Sequence, residues 1–150
     1  MIDSKVMNLM LSELDSNDEK FKVTLDKFIK IGLKVAQGSE DFQEELKQYG
    51  DILFHIYVNN IDFNIWIKKI QENLTYNNSF YEKSSKGMKT IHFILTKETM
   101  RKIFKAKLEA MEAWFKGLIR IEGDLSDAII AKNLIKTFLL VLNHYMKNSN

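Results

Sequence analysis

Cysteine and proline are absent from the 150 residues, glycine occurs six times, and the only arginines are Arg101 and Arg120. Without cysteine there is no disulfide framework, no thiol nucleophile and no cysteine-ligated zinc or iron–sulfur centre, which suits a reducing compartment. Without proline nothing marks a linker or a domain boundary. With two arginines, the planar fork that grips phosphates and guanines bidentately is nearly missing. A formal net charge of +2 is also too small for a polyanion binder, so no nucleic-acid partner is expected. Long apolar runs are lacking as well. The longest uncharged apolar-rich stretch, Thr137 to Met146, is about half the roughly 20 residues a membrane-spanning helix needs. The N-terminal residues carry Asp3 and no small-residue cleavage site, so they do not read as a signal peptide, and the expected location is cytoplasmic.

What is present is globular composition, with 45% hydrophobic and 28% charged residues. A chain of this length buries roughly 68–70% of its unfolded surface, enough for one core without staples. A single domain over residues 1–150 is expected. Its charge is unevenly placed: residues 1–50 hold 7 basic and 10 acidic groups, whereas 83–107 hold 8 basic groups and only Glu98.

The first fifty residues have helical periodicity. Ser4 caps a helix carrying Val6, Met7, Met10 and Leu14. A second helix starts near Asn17 or Asp18, with Phe21, Leu25, Phe28, Ile29, Gly32 and Ala36 on its apolar stripe and Gly38 at its C-cap. Ser39 caps a third, ended by Gly50. The period then changes to two. Ile52, Phe54, Ile56 and Val58 alternate with Leu53, His55 and Tyr57, and Ile61, Phe63, Ile65 and Ile67 continue the alternation, so Asn59-Asn60 reads as a type I′ hairpin turn. A third strand spans Asn73 to Tyr76, a polar loop follows up to Gly87, and Ile91, Phe93 and Leu95 mark a fourth strand. Thr96 caps a short helix, Leu108 to Phe115 reads as another, and Leu118 to Glu122 as a fifth strand with Ile119 and Ile121 inward. The last helix, Ser126 to Lys147, carries more apolar side chains than one packed face needs, which calls for a sheet, ligand, partner chain or membrane to cover them.

The stretch Ala106 to Asp124, AKLEAMEAWFKGLIRIEGD, resembles the signature of the sterol carrier protein type 2 family. Lys107, Leu108, Met111, Ala113, Phe115, Gly117, Ile119, Ile121, Gly123 and Asp124 fall in matching places. Ala106 stands where the family usually has glycine, Ala110 where proline is common and Leu118 where a lysine is usual. The upstream order of elements also fits, so the resemblance covers about residues 40–147, with 1–38 as an added N-terminal helical extension. It implies an α+β fold, a five-stranded, mostly antiparallel curved sheet covered by helices. It further implies an apolar tunnel for fatty acyl chains or other lipids, used for carriage or storage without chemistry and without a cofactor.

On that reading the walls of the tunnel are Ile65, Ile67 and Phe93 from the sheet, Phe104, Met111, Trp114 and Phe115 from the short helices, and Leu134, Phe138 and Leu142 from the last helix. The residues alone read equally well as plain core packing. Withdrawing a sixteen-carbon chain from water is worth roughly 13 kcal/mol, so such a tunnel needs no specific polar contact. The basic run, with Lys97, Arg101, Lys102 and Lys105 at its centre, reads as a dock for transient contact with an anionic membrane surface, against the alternative of a solvated face. An enzyme is not expected. No nucleophile elbow, phosphate-binding glycine loop or Walker pattern occurs, and His55, His92 and His144 lack metal-ligand spacing, so no metal site is expected either. His55 and His92 both lie on predicted strands and read as a structural pair. The second reading is an interaction module, in which the broad final helix forms a homodimer instead of closing a tunnel.

Overall fold

The computed structural model describes residues 4–78 and 88–147. Its elements run α1 (Ser4–Glu13), α2 (Asp18–Gln37), α3 (Glu40–Lys47), β1 (Ile52–Val58), β2 (Phe63–Ile70), β3 (Asn73–Asn77), β4 (Lys89–Leu95), α4 (Lys97–Phe104), α5 (Ala110–Phe115), β5 (Arg120–Glu122) and α6 (Leu125–Lys147). The sheet order is β3-β2-β1-β4-β5. Neighbouring strands pair antiparallel except at β1 and β4, which run parallel, so the sheet is mixed.

Local chemistry sets most helix ends. Asn17 accepts from the Lys20 N–H, Ser39 from Phe42 and Thr96 from Thr99, each satisfying an orphan donor of a first turn. At the start of α6, Asp124 accepts from the Asp127 N–H while the Asp127 carboxylate accepts from Asp124 N–H, a reciprocal capping box. Both α4 and α5 end in the same motif. Lys107 N–H donates to the Lys102 carbonyl and Ala106 N–H to Ile103, as Leu118 does to Ala113 and Gly117 to Trp114. The motif needs a left-handed residue just past the helix. Gly117 fills that position at φ 75°, and Ala106 fills it at φ 58° in spite of its Cβ. The glycine that Ala106 replaces in the resembling signature thus had a conformational reason.

The turn after β1 differs from the expected two-residue hairpin. Asn59–Ile61 make a single 3₁₀ turn, Asp62 takes the positive φ of 48°, and Val58 pairs with Phe63. The reason is tertiary. Asn60 accepts from the Lys97 N–H at 2.8 Å, tying the turn to the start of α4, and Ile61 is buried beneath it.

Helices pack on one face of the sheet. Leu25, Ile29 and Leu33 of α2, Phe42 and Leu46 of α3, and Ala131 and Leu134 of α6 share one core with Phe54, Ile65, Ile91 and Phe93 of the sheet. The second helix therefore contributes to the same core as the rest. A smaller cluster of Met7, Phe28 and Leu142 joins α1, α2 and α6. There Gly32 lets α2 approach α6 closely, since a Cβ would come within 3.2 Å of the Phe138 ring and 3.3 Å of Leu142.

Candidate functional site

An apolar cavity of about 140 Å³ lies between the sheet and the helical layer. Alternate residues of the strands form its floor: Phe54 and Ile56 of β1, Ile67 of β2, Leu74 of β3, and Phe93 and Leu95 of β4. Ile29 and Leu33 of α2 and Phe42 and Leu46 of α3 make one side, and Met100, Ile103 and Phe104 of α4 another. The roof is α6, whose Ala131, Leu134, Ile135, Phe138 and Leu139 recur at the spacing of one helical face. Every lining side chain is apolar, so the cavity offers no hydrogen bond, and chain length and shape are all it can select.

Between α5 and α6 lies a larger cleft of about 760 Å³. Phe93, Ile103, Ala110, Ile119, Ile135 and Leu139 line both spaces, so the two share a wall. The cleft's outer rim is amphipathic. Met111, Trp114 and Phe115 of α5 face Lys132, Lys136 and Leu140 of α6, and the Trp114 and Phe115 rings stack with centroids 5.5 Å apart. Lys116 pairs with Glu112 at 2.7 Å.

Of the residues expected to make a tunnel, the structure brings Ile67, Phe93, Phe104, Leu134 and Phe138 together around the cavity. Met111, Trp114 and Phe115 stand in the outer cleft, where Phe115 is 76% exposed. Ile65 is fully buried in the core, and Leu142 is buried against Met7 and Phe28, both away from the cavity wall. Residues that sequence reasoning missed come from α2 and α3, from the strands (Phe54, Ile56, Leu74 and Leu95), from Met100 and Ile103 of α4, from Ala110 and Ile119, and from α6, which adds Ala131, Ile135 and Leu139. The last three continue the stripe of Leu134 and Phe138, a signal available in the sequence.

The basic residues expected to dock on a membrane are otherwise engaged. Lys97 donates to the Ser16 carbonyl at 2.8 Å and pairs with Asp18 at 2.9 Å. Arg101 bridges Asp15 and Glu98, and Lys105 also pairs with Asp15, whose carboxyl is held below the usual carboxylate range by hydrogen bonds from Lys105 and Arg101. These cations fasten the α1–α2 turn to α4. Only Lys102, 3.9 Å from Glu98, remains loosely held, so the expected basic patch is an internal staple.

Titratable groups gather on the opposite sheet face. His55 and His92, paired in register across β1 and β4, bring their Nδ1 atoms to 2.8 Å, and His55 Nε2 lies 2.7 Å from the Asn64 side-chain oxygen. With Nε2–H donating to Asn64, the neutral His55 ring accepts from His92 at Nδ1. Burial lowers the His55 pKa, and the Trp66 ring stacks on it at 4.0 Å. No group of three or more metal-ligating side chains occurs among the described residues, so this pair has no third ligand beside it. No helix among the described residues is long and apolar enough to cross a membrane.

No family model and no curated protein matches the sequence. Solved structures do resemble the fold. The UbiJ-SCP2 ubiquinone synthesis protein superposes over 75% of this chain and 85% of its own, with a TM-score of 0.55 at 9% identity. Sterol carrier protein 2 from Yarrowia lipolytica, in its apo form, superposes over 77% of this chain and 90% of its own, with a TM-score of 0.51 at 18% identity. The inverting sec-alkylsulfatase Pisa1 from Pseudomonas sp. matches over 61% of this chain at 19% identity and a TM-score of 0.45, and the chain spans only 14% of that enzyme's length. The chain has a sterol-carrier-protein-like α+β fold.

Proposed function

We propose that the protein binds a hydrophobic ligand, a fatty acyl chain or similar lipid, and carries or stores it without chemical change. The observation that carries this reading is the wholly apolar cavity sharing a wall with the α5–α6 cleft. A cavity of about 150 Å³ lined by Leu, Ile and Phe accepts a benzene-sized guest, so this one takes about six carbons of a chain. The rest of the ligand lies in the cleft, and its polar end emerges near Lys132 and Lys136. That arrangement favours amphiphiles with a single slender tail. Side chains with several rotamers, Met100 and Phe104 among them, give the walls some capacity to adjust. The likeness to sterol carrier proteins supports the reading through the fold.

Native mass spectrometry of the purified protein, followed by solvent extraction, tests it. Bound mass in the lipid range that is lost on denaturation is the expected result. A clean apo mass together with no uptake of a fluorescent fatty acid would overturn it.

A further inference from the structure

The outer side of α6 carries a stripe of exposed apolar side chains and of lysines. Leu125, Ile129, Lys132, Lys136, Leu140 and Lys147 follow one another at intervals of three, four or seven residues, so they share one narrow face. That face extends over about 33 Å at 1.5 Å per residue. Leu125 is 72% exposed and Leu140 60%, and the exposed Phe115 lies across the cleft from Leu140. No acid lies on the stripe. The helix's single carboxylate, Asp127, is buried and paired with Lys89. The cleft's acids, Glu109 and Glu112, stand on the α5 side, and Glu112 is already paired with Lys116.

From these features we infer that the α6 stripe, with Phe115, docks the protein on an anionic lipid bilayer, α6 lying parallel to the surface. Large apolar side chains interleaved with lysines are what an interfacial helix needs: the former enter the acyl boundary while the latter reach up to headgroup phosphates. The alternative occupant, a second copy, fits poorly. A two-fold axis through the middle of the stripe would set Lys132 and Lys136 against the same lysines of the other copy, with no acid between them. Docked in this way, the mouth of the α5–α6 cleft faces the membrane, so a tail could pass between bilayer and cavity without crossing water. The docking itself does not require a filled cavity.

Cosedimentation with vesicles tests the inference. The intact chain is mixed with vesicles of phosphatidylcholine alone or of phosphatidylcholine and phosphatidylserine at 3:1. Binding to the anionic vesicles only, weakened by salt, is expected. The double variant K132Q/K136Q should bind them about thirty-fold more weakly, equivalent to about 1 kcal/mol per lysine. K20Q/K34Q, which removes two exposed lysines of α2, should bind as the parent does. Absence of binding to anionic vesicles would overturn the inference, as would equal losses in the two double variants. So would a dimer, seen by light scattering, that Leu140→Asp dissociates, because the stripe would then be covered by a second copy.

Discussion

Filling the cavity from within separates a ligand site from an ordinary packing defect. Ala131 is fully buried on α6 and lines the cavity, so Ala131→Phe directs a benzyl group into a space of about 140 Å³, close to the volume that accepts benzene. Burying the ring contributes about 1.5–3 kcal/mol, and crowding the walls costs about 1–3 kcal/mol, so the two nearly cancel. For a domain of this size the melting temperature should then stay within about 6 °C of the parent. Ligand binding should not survive. About six carbons lose their place, at about 0.8 kcal/mol each, which weakens a long-chain fatty acid about three-thousandfold. Displacement of a fluorescent fatty acid measures the affinity, and thermal unfolding followed by circular dichroism measures the stability. Wild-type affinity in the variant would show that the tail does not enter this cavity. A loss of more than about 3 kcal/mol in stability would show that the space cannot receive a ring.

Three further outcomes are expected. Ala106→Gly relieves a left-handed alanine, worth about 1–2 kcal/mol, against about 0.5–1 kcal/mol of extra unfolded-chain entropy, so the urea midpoint should rise; a fall would contradict the strain assigned to that turn. Tyr76 donates to Asp26, and burial with that bond raises its pKa, so the unfolded chain ionises first and stability falls as pH climbs above about 10; Tyr76→Phe should cost about 1–2 kcal/mol at neutral pH and flatten that alkaline loss, and an unchanged midpoint would remove the bond from the account. The lowered pKa of His55 acts at the other end: its contribution is complete above about pH 6.5 and is lost as pH falls toward its folded value, because the unfolded chain takes up the proton first. Urea titrations between pH 7.5 and 5 should show that slope, and His55→Gln should reduce it; a slope that persists in the variant would place its origin elsewhere.

What could be read from the sequence was what local chemistry decides. The caps at Ser39 and Thr96, the start of α2 near Asn17 and the period-two runs of β1, β2 and β4 need only neighbours a few residues away. The hairpin turn does not, because its positive φ moved from the asparagines to Asp62 when Asn60 was drawn to α4. Lys69 sits on the inward face of β2, fully buried, where alternation alone calls for an apolar residue. Its amine donates to the Tyr49 and Gly50 carbonyls past the end of α3, a partnership fixed by packing. The cavity was legible in part for the same reason. The inner apolar face of α6 announces Leu134 and Phe138, but whether a buried side chain borders a void or fills one depends on its neighbours. Ile65 and Ile67 share a strand face, yet only Ile67 meets the cavity. Ile29 and Leu33 lie on α2, upstream of the stretch that carried the family resemblance.

The two sets of cations make the limit of linear charge counting concrete. Eight basic groups against one acid in residues 83–107 suggest a free positive surface, and the acidic excess of residues 1–50 suggests a separate negative one. Folding sets them against each other: Asp15, in the turn between α1 and α2, and Asp18, at the start of α2, meet Lys97, Arg101 and Lys105 on α4. A lysine already held by a carboxylate contributes little to attracting a distant anion, since the pair's field falls off faster than that of either charge alone. On α6 three lysines suffice for the opposite reason. The single acid of that helix is buried and turned to Lys89, so α6 sets no carboxylate of its own beside the lysines on the outer stripe, and the cleft's Glu109 and Glu112 stand on the α5 side. Where a basic protein can meet an anionic surface is therefore decided by where the fold leaves out its acids. On the docking inferred above, that puts an anionic membrane at α6 and away from the most basic segment of the sequence.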